Sequence, residues 1–328
     1  MTELSAELAF AREAAVKACS LAEILREKFQ SQSVIKSDRS PVTIADYAVQ
    51  ALIGGLLEHA FPDDILVGEE NAAVLKSHHS ELLPEIQKYL SPFFNSISSD
   101  TIFKFVGEGK LCSGKRAWIL DPIDGTKGFI RGGQYAVSLG LLENNIVKLG
   151  VLGCPKLSDK NFKTPGILAW AVRGQGAFYA QLSHLEHSIR LKVSERNKMS
   201  EAVMIRSEDE SHSNFPRIQK LRELAGNNCV PLEMSSLAKI VMLAAGNADF
   251  LLRLLSESKP DYREWIWDQA AGVLILAEAG GKTTDSEGRE LDFSQGLRLE
   301  KNCGILASNG KLHEALLDHL KKVTDKKE

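Results

Sequence analysis

The sequence predicts a layered α+β protein whose first part mixes helices with hairpin-connected strands and whose second part alternates strand and helix. Three observations carry this. Apolar residues recur at helical spacing from Leu4 through Leu8, Ala11, Ala15, Ala18 and Ala22 to Leu25. Apolar runs flank Glu143-Asn144-Asn145 and again Arg173-Gly174-Gln175-Gly176, each the mark of a β-hairpin. Beyond the polar run Ser183–Ser200, short strand-like runs alternate with helical ones, as in an α/β unit. The boundary is placed between residues 197 and 198, giving units 1–197 and 198–328.

The elements follow in order. The first amphipathic helix is succeeded by Pro41, which breaks the chain. Thr43 then reads as an N-cap with Asp46 three residues on. Val49, Leu52, Ile53, Leu56 and Leu57 supply the second helix with its apolar face. Ile65-Leu66-Val67 is a short strand running into Gly68-Glu69-Glu70. Residues 71–110 are weakly patterned and read as a surface excursion, partly helical. Tyr135–Leu142 and Ile146–Leu152 are strands, as are Ile167–Val172 and Ala177–Ala180. The stretch 183–200 is a junction. After it come a strand at Ala202–Ile205, helices at Phe215–Leu224 and Leu237–Ala245, and a strand at Ala248–Leu252. A helix at Ile266–Ala279, a strand at Gly304–Ala307 and a helix at Lys311–Lys322 complete the chain.

Composition narrows the function. The chain has 328 residues, 44% hydrophobic and 25% charged, enough for two packed units. A net charge of -3 gives no reason to expect a nucleic-acid polymer. The five cysteines are scattered and lack C-x-x-C spacing, so reduced thiols of a cytosolic protein are expected. The N-terminus does not read as a secretory signal, and no segment reads as a membrane span.

The chemistry is concentrated in Trp118–Phe129, WILDPIDGTKGF. An apolar run delivers Asp121, a turn brings Asp124, and Gly125-Thr126 opens what reads as a helix. Two carboxylates at a strand end can converge on a hard cation such as Mg²⁺. Free N–H groups of a helix start can seat a phosphate. Further acidic groups end other elements: Glu69 and Glu70 after a strand, Asp268 at a helix start in WDQAAG. Each has an ordinary alternative. Asp268 could be an N-cap, Glu69 and Glu70 solvated turn residues, and Asp46 part of a capping box. His78 and His79 lack metal-ligand spacing and read as loop residues. No G-x-x-x-x-G-K-[ST] occurs, which removes a P-loop NTPase.

Together KSDRSPVTIADYAVQ, VGEE, WILDPIDGTKGF and IWDQAAGVLILAEAGG resemble the signatures of the inositol monophosphatase and fructose-1,6-bisphosphatase superfamily of Mg²⁺-dependent, lithium-sensitive phosphatases. The SPVT-x-AD opening and the ending that runs from Tyr262 through IWD and AAG to EAGG look most like its 3′(2′),5′-bisphosphate nucleotidases. The resemblance implies an α-β-α-β-α sandwich with the site between the two units. It implies two or three Mg²⁺ ions held by Glu69, Asp121, the Ile123 carbonyl, Asp124 and Asp268, with Li⁺ as an inhibitor. Asp46 would orient a water at the metals, Thr126 with Glu69 would polarise the attacking water, and Gly125 and Thr126 would donate to the phosphate. Glu70 would support Glu69 from behind. Ser236, Lys239 and Arg253 would bind a nucleotide and its second phosphate. The implied activity is hydrolysis of adenosine 3′,5′-bisphosphate to AMP and phosphate. The rivals are an inositol mono- or polyphosphate phosphatase and a non-catalytic phospholigand sensor. Three departures bear on the base. Ser235-Ser236-Leu237 replaces the usual Asp-Ser-Gln, the family's His-Ser-x-His stretch falls near Asp209–His212, and Trp265 stands where the family has Lys.

Overall fold

The structure is a computed structural model that describes residues 4–31, 40–111, 116–158, 162, 164–208, 213–256 and 258–324. Its helices and strands stack in five layers. Helices α1 (Ser5–Ser31) and α2 (Ser40–Ala60) form the first. A seven-stranded sheet follows in sequential order: β1 (Ile65–Gly68), β2 (Ala117–Asp124), β3 (Ala136–Glu143), β4 (Ile146–Cys154), β5 (Ile167–Val172), β6 (Ala177–Gln181) and β7 (His184–Arg190). In this sheet the β1–β2 pair is parallel and every later neighbour is antiparallel.

Side-chain alternation explains the layering. Trp118 and Leu120 face α1 and α2, while Ala117 and Ile119 face the other way. That second face is covered by α8 (Ala238–Ala244) and α9 (Ala270–Glu278). Gly150 is required here, since a Cβ on it would lie 2.6 Å from the Ala271 carbonyl oxygen. Helix α9 is in turn covered by a three-stranded antiparallel sheet of order β10–β12–β11: β10 (Phe250–Arg253), β11 (Lys282–Thr284) and β12 (Ile305–Ser308). Leu251, Ile305 and Ala307 point to α9. Phe250, Leu252 and Leu306 point outward to α7 (Phe215–Leu224) and α10 (His313–Thr324). A two-stranded parallel pair, β8 (Ile205–Arg206) and β9 (Leu232–Glu233), lies near the cleft described below.

Several expectations change. Residues 71–110 hold α3 (Ala72–His78), α4 (Leu83–Leu90) and α5 (Ser99–Val106), whose Leu75, Ile86, Leu90 and Ile102 are buried against α2. The apolar residues are spread over three short helices, so no long period shows in the sequence. His78 accordingly ends α3, and His79 is its C-cap. Thr43 is not an N-cap, because α2 already starts at Ser40 and takes Pro41 into its first turn, where proline's missing N–H costs nothing. Part of the polar run 183–200 is strand β7, an edge strand whose residues are almost all exposed. Asp268 does not cap α9; Gln269 holds that position and makes no side-chain cap bond.

Of the cysteines, Cys19 and Cys154 are buried and free, Cys229 and Cys303 half-buried and free; Cys112 lies outside the described residues. Among the described residues no helix is long and apolar enough to cross a membrane.

Candidate active site

The site forms where β1 and β2 end side by side. The β2–β3 register shifts between Asp121 and Asp124, so the strand bulges there. The bulge re-aims the side chains, and Asp121 and Asp124 reach the same point instead of opposite faces. Ser138, opposite Asp121 in that register, donates 3.2 Å to the Trp267 carbonyl. That bond ties the segment before α9 to the strand and brings Asp268 in from the far side. One oxygen each of Asp121, Asp124 and Asp268 lies within 4.8 Å of the others. Glu69, whose N–H donates to the Leu120 carbonyl across β1–β2 at 3.1 Å, is in hydrogen-bond contact with Asp121.

The electrostatics are those of like charges packed together. Burial, then Glu69, Asp124, Asp268 and Asp46, holds the Asp121 carboxyl well above the usual carboxylate range. Burial, then Asp124, does the same for Asp268, with Arg253 opposing. Glu69 is pushed up to about 7 by burial, Glu70 and Asp124. For Asp124 burial wins over Lys239, the Leu237 N–H and Arg253. The Leu237 N–H donates to Asp124 Oδ2 and so fastens the start of α8 to the cluster. Four buried acidic groups whose pKa values all stand above the ordinary range call for a cation.

Asp46 sits behind the cluster on α2, buried, its pKa well raised by burial, Glu70 and Glu69. One turn on, Gln50 is wholly buried and was not singled out by sequence reasoning. Its Nε2 donates to the carbonyls of Glu70 (2.6 Å) and Val106 (2.7 Å), and its Oε1 accepts from the Glu70 N–H (3.0 Å). Tyr47 hydrogen-bonds the Glu70 carboxylate. Glu70 therefore faces α2, not the cleft, and α2 clamps the corner that carries Glu69. A polar Gln in an otherwise apolar helix stretch, four residues after Asp46, was the available signal.

A cleft of about 490 Å³ opens in front of the carboxylates, lined by Glu69, Asp121, Ile123, Asp124 and Asp268. Gly125 follows with φ +88, and a Cβ there would sit 2.8 Å from Ser236 Cβ. Thr126 is exposed to the cleft and donates 3.4 Å to the Ile123 carbonyl. Ser236 is buried at φ +67, with its Oγ accepting from the Ala238 N–H at 3.2 Å. Lys239 donates to the Ser236 carbonyl at 2.7 Å, and burial pulls its pKa down to about 8. Arg253 lines the cleft but is already engaged: its Nε lies 2.9 Å from buried Glu264, and its guanidinium lies over Tyr262. Tyr262 belongs to the ending that carries the nucleotidase resemblance, whereas Glu264 was not foreseen. Asp209–His212 lies outside the described residues. Trp265 stacks on Trp267 at 4.6 Å, with Arg298 3.3 Å over its ring.

The chain has recognisable relatives among known proteins. The inositol monophosphatase family profile matches residues 5–325. A 3′(2′),5′-bisphosphate nucleotidase of Dictyostelium discoideum is 37% identical over 326 residues, covering 96% of this chain and 97% of that one. A probable 3′(2′),5′-bisphosphate nucleotidase of Arabidopsis thaliana is 38% identical, covering 95% and 93%. The solved inositol monophosphatase of Anabaena superposes with a TM-score of 0.65 at 21% identity over 98% of this chain and 97% of that one, a likeness of fold. The profile match and the near-full-length relatives place this chain in the inositol monophosphatase family.

Proposed function

We propose that this protein is a Mg²⁺-dependent phosphomonoesterase that removes the 3′-phosphate of adenosine 3′,5′-bisphosphate, leaving AMP and phosphate. The observation that carries the reading is the convergence of Asp121, Asp124 and Asp268 within 4.8 Å, beside Glu69, on one point of the cleft. An all-oxygen donor set rich in negative charge fits Mg²⁺. Glu69, Asp121, the Ile123 carbonyl, Asp124 and Asp268 would hold two or three ions, Asp268 from the unit 198–328 and the others from 1–197. Bound there, the ions would neutralise the phosphate dianion and render water nucleophilic.

The chain's own residues do the rest. Thr126 and Glu69, which both line the cleft, would accept hydrogen bonds from the attacking water and aim its oxygen at phosphorus. Asp46 buttresses that corner from α2. The N–H groups at Gly125 and Thr126 donate to the phosphate oxygens. As the water oxygen bonds phosphorus, the bond from phosphorus to the ribose 3′ oxygen breaks, and that oxygen leaves with the proton that the attacking water gives up. Lys239, with a pKa of about 8, is still largely cationic at neutral pH and can meet the second phosphate. Arg253 and Ser236 line the same side of the cleft. No Cys or Ser nucleophile is needed, because positioning and charge stabilisation carry phosphoryl transfer. Li⁺ is expected to compete for one of the cation positions shaped by Asp124 and Asp268.

The test is phosphate release from a panel: adenosine 3′,5′-bisphosphate, 3′-AMP and inositol 1-phosphate, with Mg²⁺ or chelator, and with Li⁺ or equal Na⁺. The bisphosphate should be preferred over 3′-AMP by roughly 10-fold or more, the scale of one charge-assisted contact. Chelator should abolish turnover, and Li⁺ alone should inhibit. Faster turnover of inositol 1-phosphate than of any nucleotide would replace this reading by an inositol-phosphate phosphatase.

A further inference from the structure

The acidic motifs account for one end of the cleft. The other end is built from residues outside every motif. Arg206 ends β8 and Phe215 opens α7, and both line the cleft together with Ser207, Ser213, Leu254 and Leu255. We propose that the Arg206–Phe215 pair is a nucleobase platform, the stacking surface that makes this chain select nucleotides over phosphorylated polyols. The inference rests on the nucleotidase reading above and names the part of the chain that would enforce it.

Both members of the pair are held in place. The Arg206 guanidinium carbon stands 4.7 Å from the centroid of the Phe215 ring. Arg206 is pinned by Glu233, its partner in the β8–β9 register, so its charge is balanced and its plane is held. Phe215 follows Asn214, whose side chain caps α7 by accepting from the Arg217 N–H at 3.1 Å and whose N–H donates to the Leu254 carbonyl at 3.1 Å. The ring therefore belongs to a helix start anchored at two points. Aromatic and guanidinium planes both stack on bases, and a hydroxyl such as that of Ser207 suits a base edge; the Ser213 hydroxyl instead accepts from the Leu254 N–H at 2.9 Å and helps fix the wall. A polyol offers no flat apolar face to such a wall.

The platform is coupled to the reacting end. Ser235 donates to Glu208 Oε2 at 2.8 Å, joining the segment after Arg206 to the Ser235–Ser236 strip that packs on Gly125. A second hollow of about 440 Å³ lies behind the pair, with Arg206 and Phe215 as the shared wall and Gln219 on its far side. The base is assigned to the cleft side of that wall.

The experiment measures kcat and KM for adenosine 3′,5′-bisphosphate and for the same sugar bisphosphate without a base. Phe215→Ala should raise KM for the nucleotide roughly 5- to 150-fold, the range for losing one base–aromatic stack, with kcat and the abasic substrate little changed. Phe215→Trp should restore the wild-type KM. Phe215→Leu keeps the apolar packing and should still raise KM for the nucleotide alone, which separates stacking from folding. Equal effects on both substrates, or none on either, overturn the platform. So does a rise in nucleotide KM on Gln219→Ala with none on Phe215→Ala, which would put the base in the second hollow. If wild type prefers nucleotides and Phe215 is neutral, only this inference fails. If wild type turns over inositol 1-phosphate best, the nucleotidase reading fails with it.

Discussion

Asp121 and Asp285 are both buried aspartates, 3% and 0% exposed, and their surroundings are opposite. Around Asp285 burial raises the carboxyl's pKa, but the N–H groups of Arg289, Glu287 and Cys303 and the Arg289 guanidinium outweigh it and hold the group below its usual range. Around Asp121 the Ile123 N–H donates at 3.1 Å, and the near neighbours are other carboxyls that add to burial. Asp285 closes a loop onto β12 and belongs to the fold. Asp121 is held in place with its charge unmet. A buried acid whose donors are complete is structural; one surrounded by acids is kept for something the chain does not itself contain.

Substitution should separate the two. Asp285→Ala leaves several N–H groups without their acceptor and should cost about 3–5 kcal/mol, read by chemical denaturation. Activity per folded molecule should stay within about twofold. Asp121→Asn should do the reverse. Turnover should fall at least ~10²-fold, the scale of losing one preorganised charge-stabilising group. The melting temperature in chelator should hold or rise, because a repelling charge is gone. A large loss of stability from Asp121→Asn would erase the distinction.

Gln50 extends the contrast to a residue that is structural in its bonds and functional in what it holds. Gln50→Leu removes the clamp on the Glu70 backbone and lets the Glu69 corner drift. The Mg²⁺ concentration for half-maximal activity should rise about 10-fold, as for other residues that orient ligands from behind. Gly68→Ala, whose Cβ would press on the Gln50 amide, should produce the same shift. A change in melting temperature alone, with metal dependence intact, would make Gln50 a core residue only.

The smallest effects are in pH. Glu69 keeps its proton in the metal-free fold up to about 7, against an ordinary 4.5. A carboxyl with a raised folded pKa gives stability that is complete below 4.5 and lost as pH climbs through 7. Buried His313, between Thr284 and Ser308, has the opposite sign. Burial first, then Lys282, lowers its pKa from 6.5 to about 4, so its contribution is complete above 6.5 and is lost as pH falls toward 4. Melting temperatures in chelator should show both limbs. Glu69→Gln should make the falling limb shallower, the raised carboxyls of Asp46, Asp121, Asp124 and Asp268 keeping the rest, and saturating Mg²⁺ should invert it, whereas His313→Gln should touch only the rising one.

Much of this was legible in the chain. Both hairpins stand where Asn144-Asn145 and Gly174–Gly176 put them, with Asn144 and Asn145 at positive φ. Helix α7 spans Phe215–Leu224 as its period predicts. These are local matters of turn chemistry and periodicity, and a sequence carries them directly. Glu69, Asp121, Asp124 and Asp268 were legible as acids at or next to element ends, whereas Asp46 lies inside α2.

What the sequence by itself determined is which side chains are available and which element each one ends: a carboxylate after β1, two across the end of β2, one before α9. What only the tertiary structure decided is that they meet. The Gln50 clamp on Glu70 spans 20 residues of chain and the Ser138 bond to the Trp267 carbonyl spans 129, and no local pattern encodes a contact over such separations. The β2 bulge likewise exists only against the register of β3. The same holds for Arg253, whose charge is shared with Glu264, and for Phe215 and Arg206, which become one wall only after β8 and α7 pack. Pairing across the chain is settled by packing and by the need of every buried polar group for a partner, and both exist only once the layers have closed.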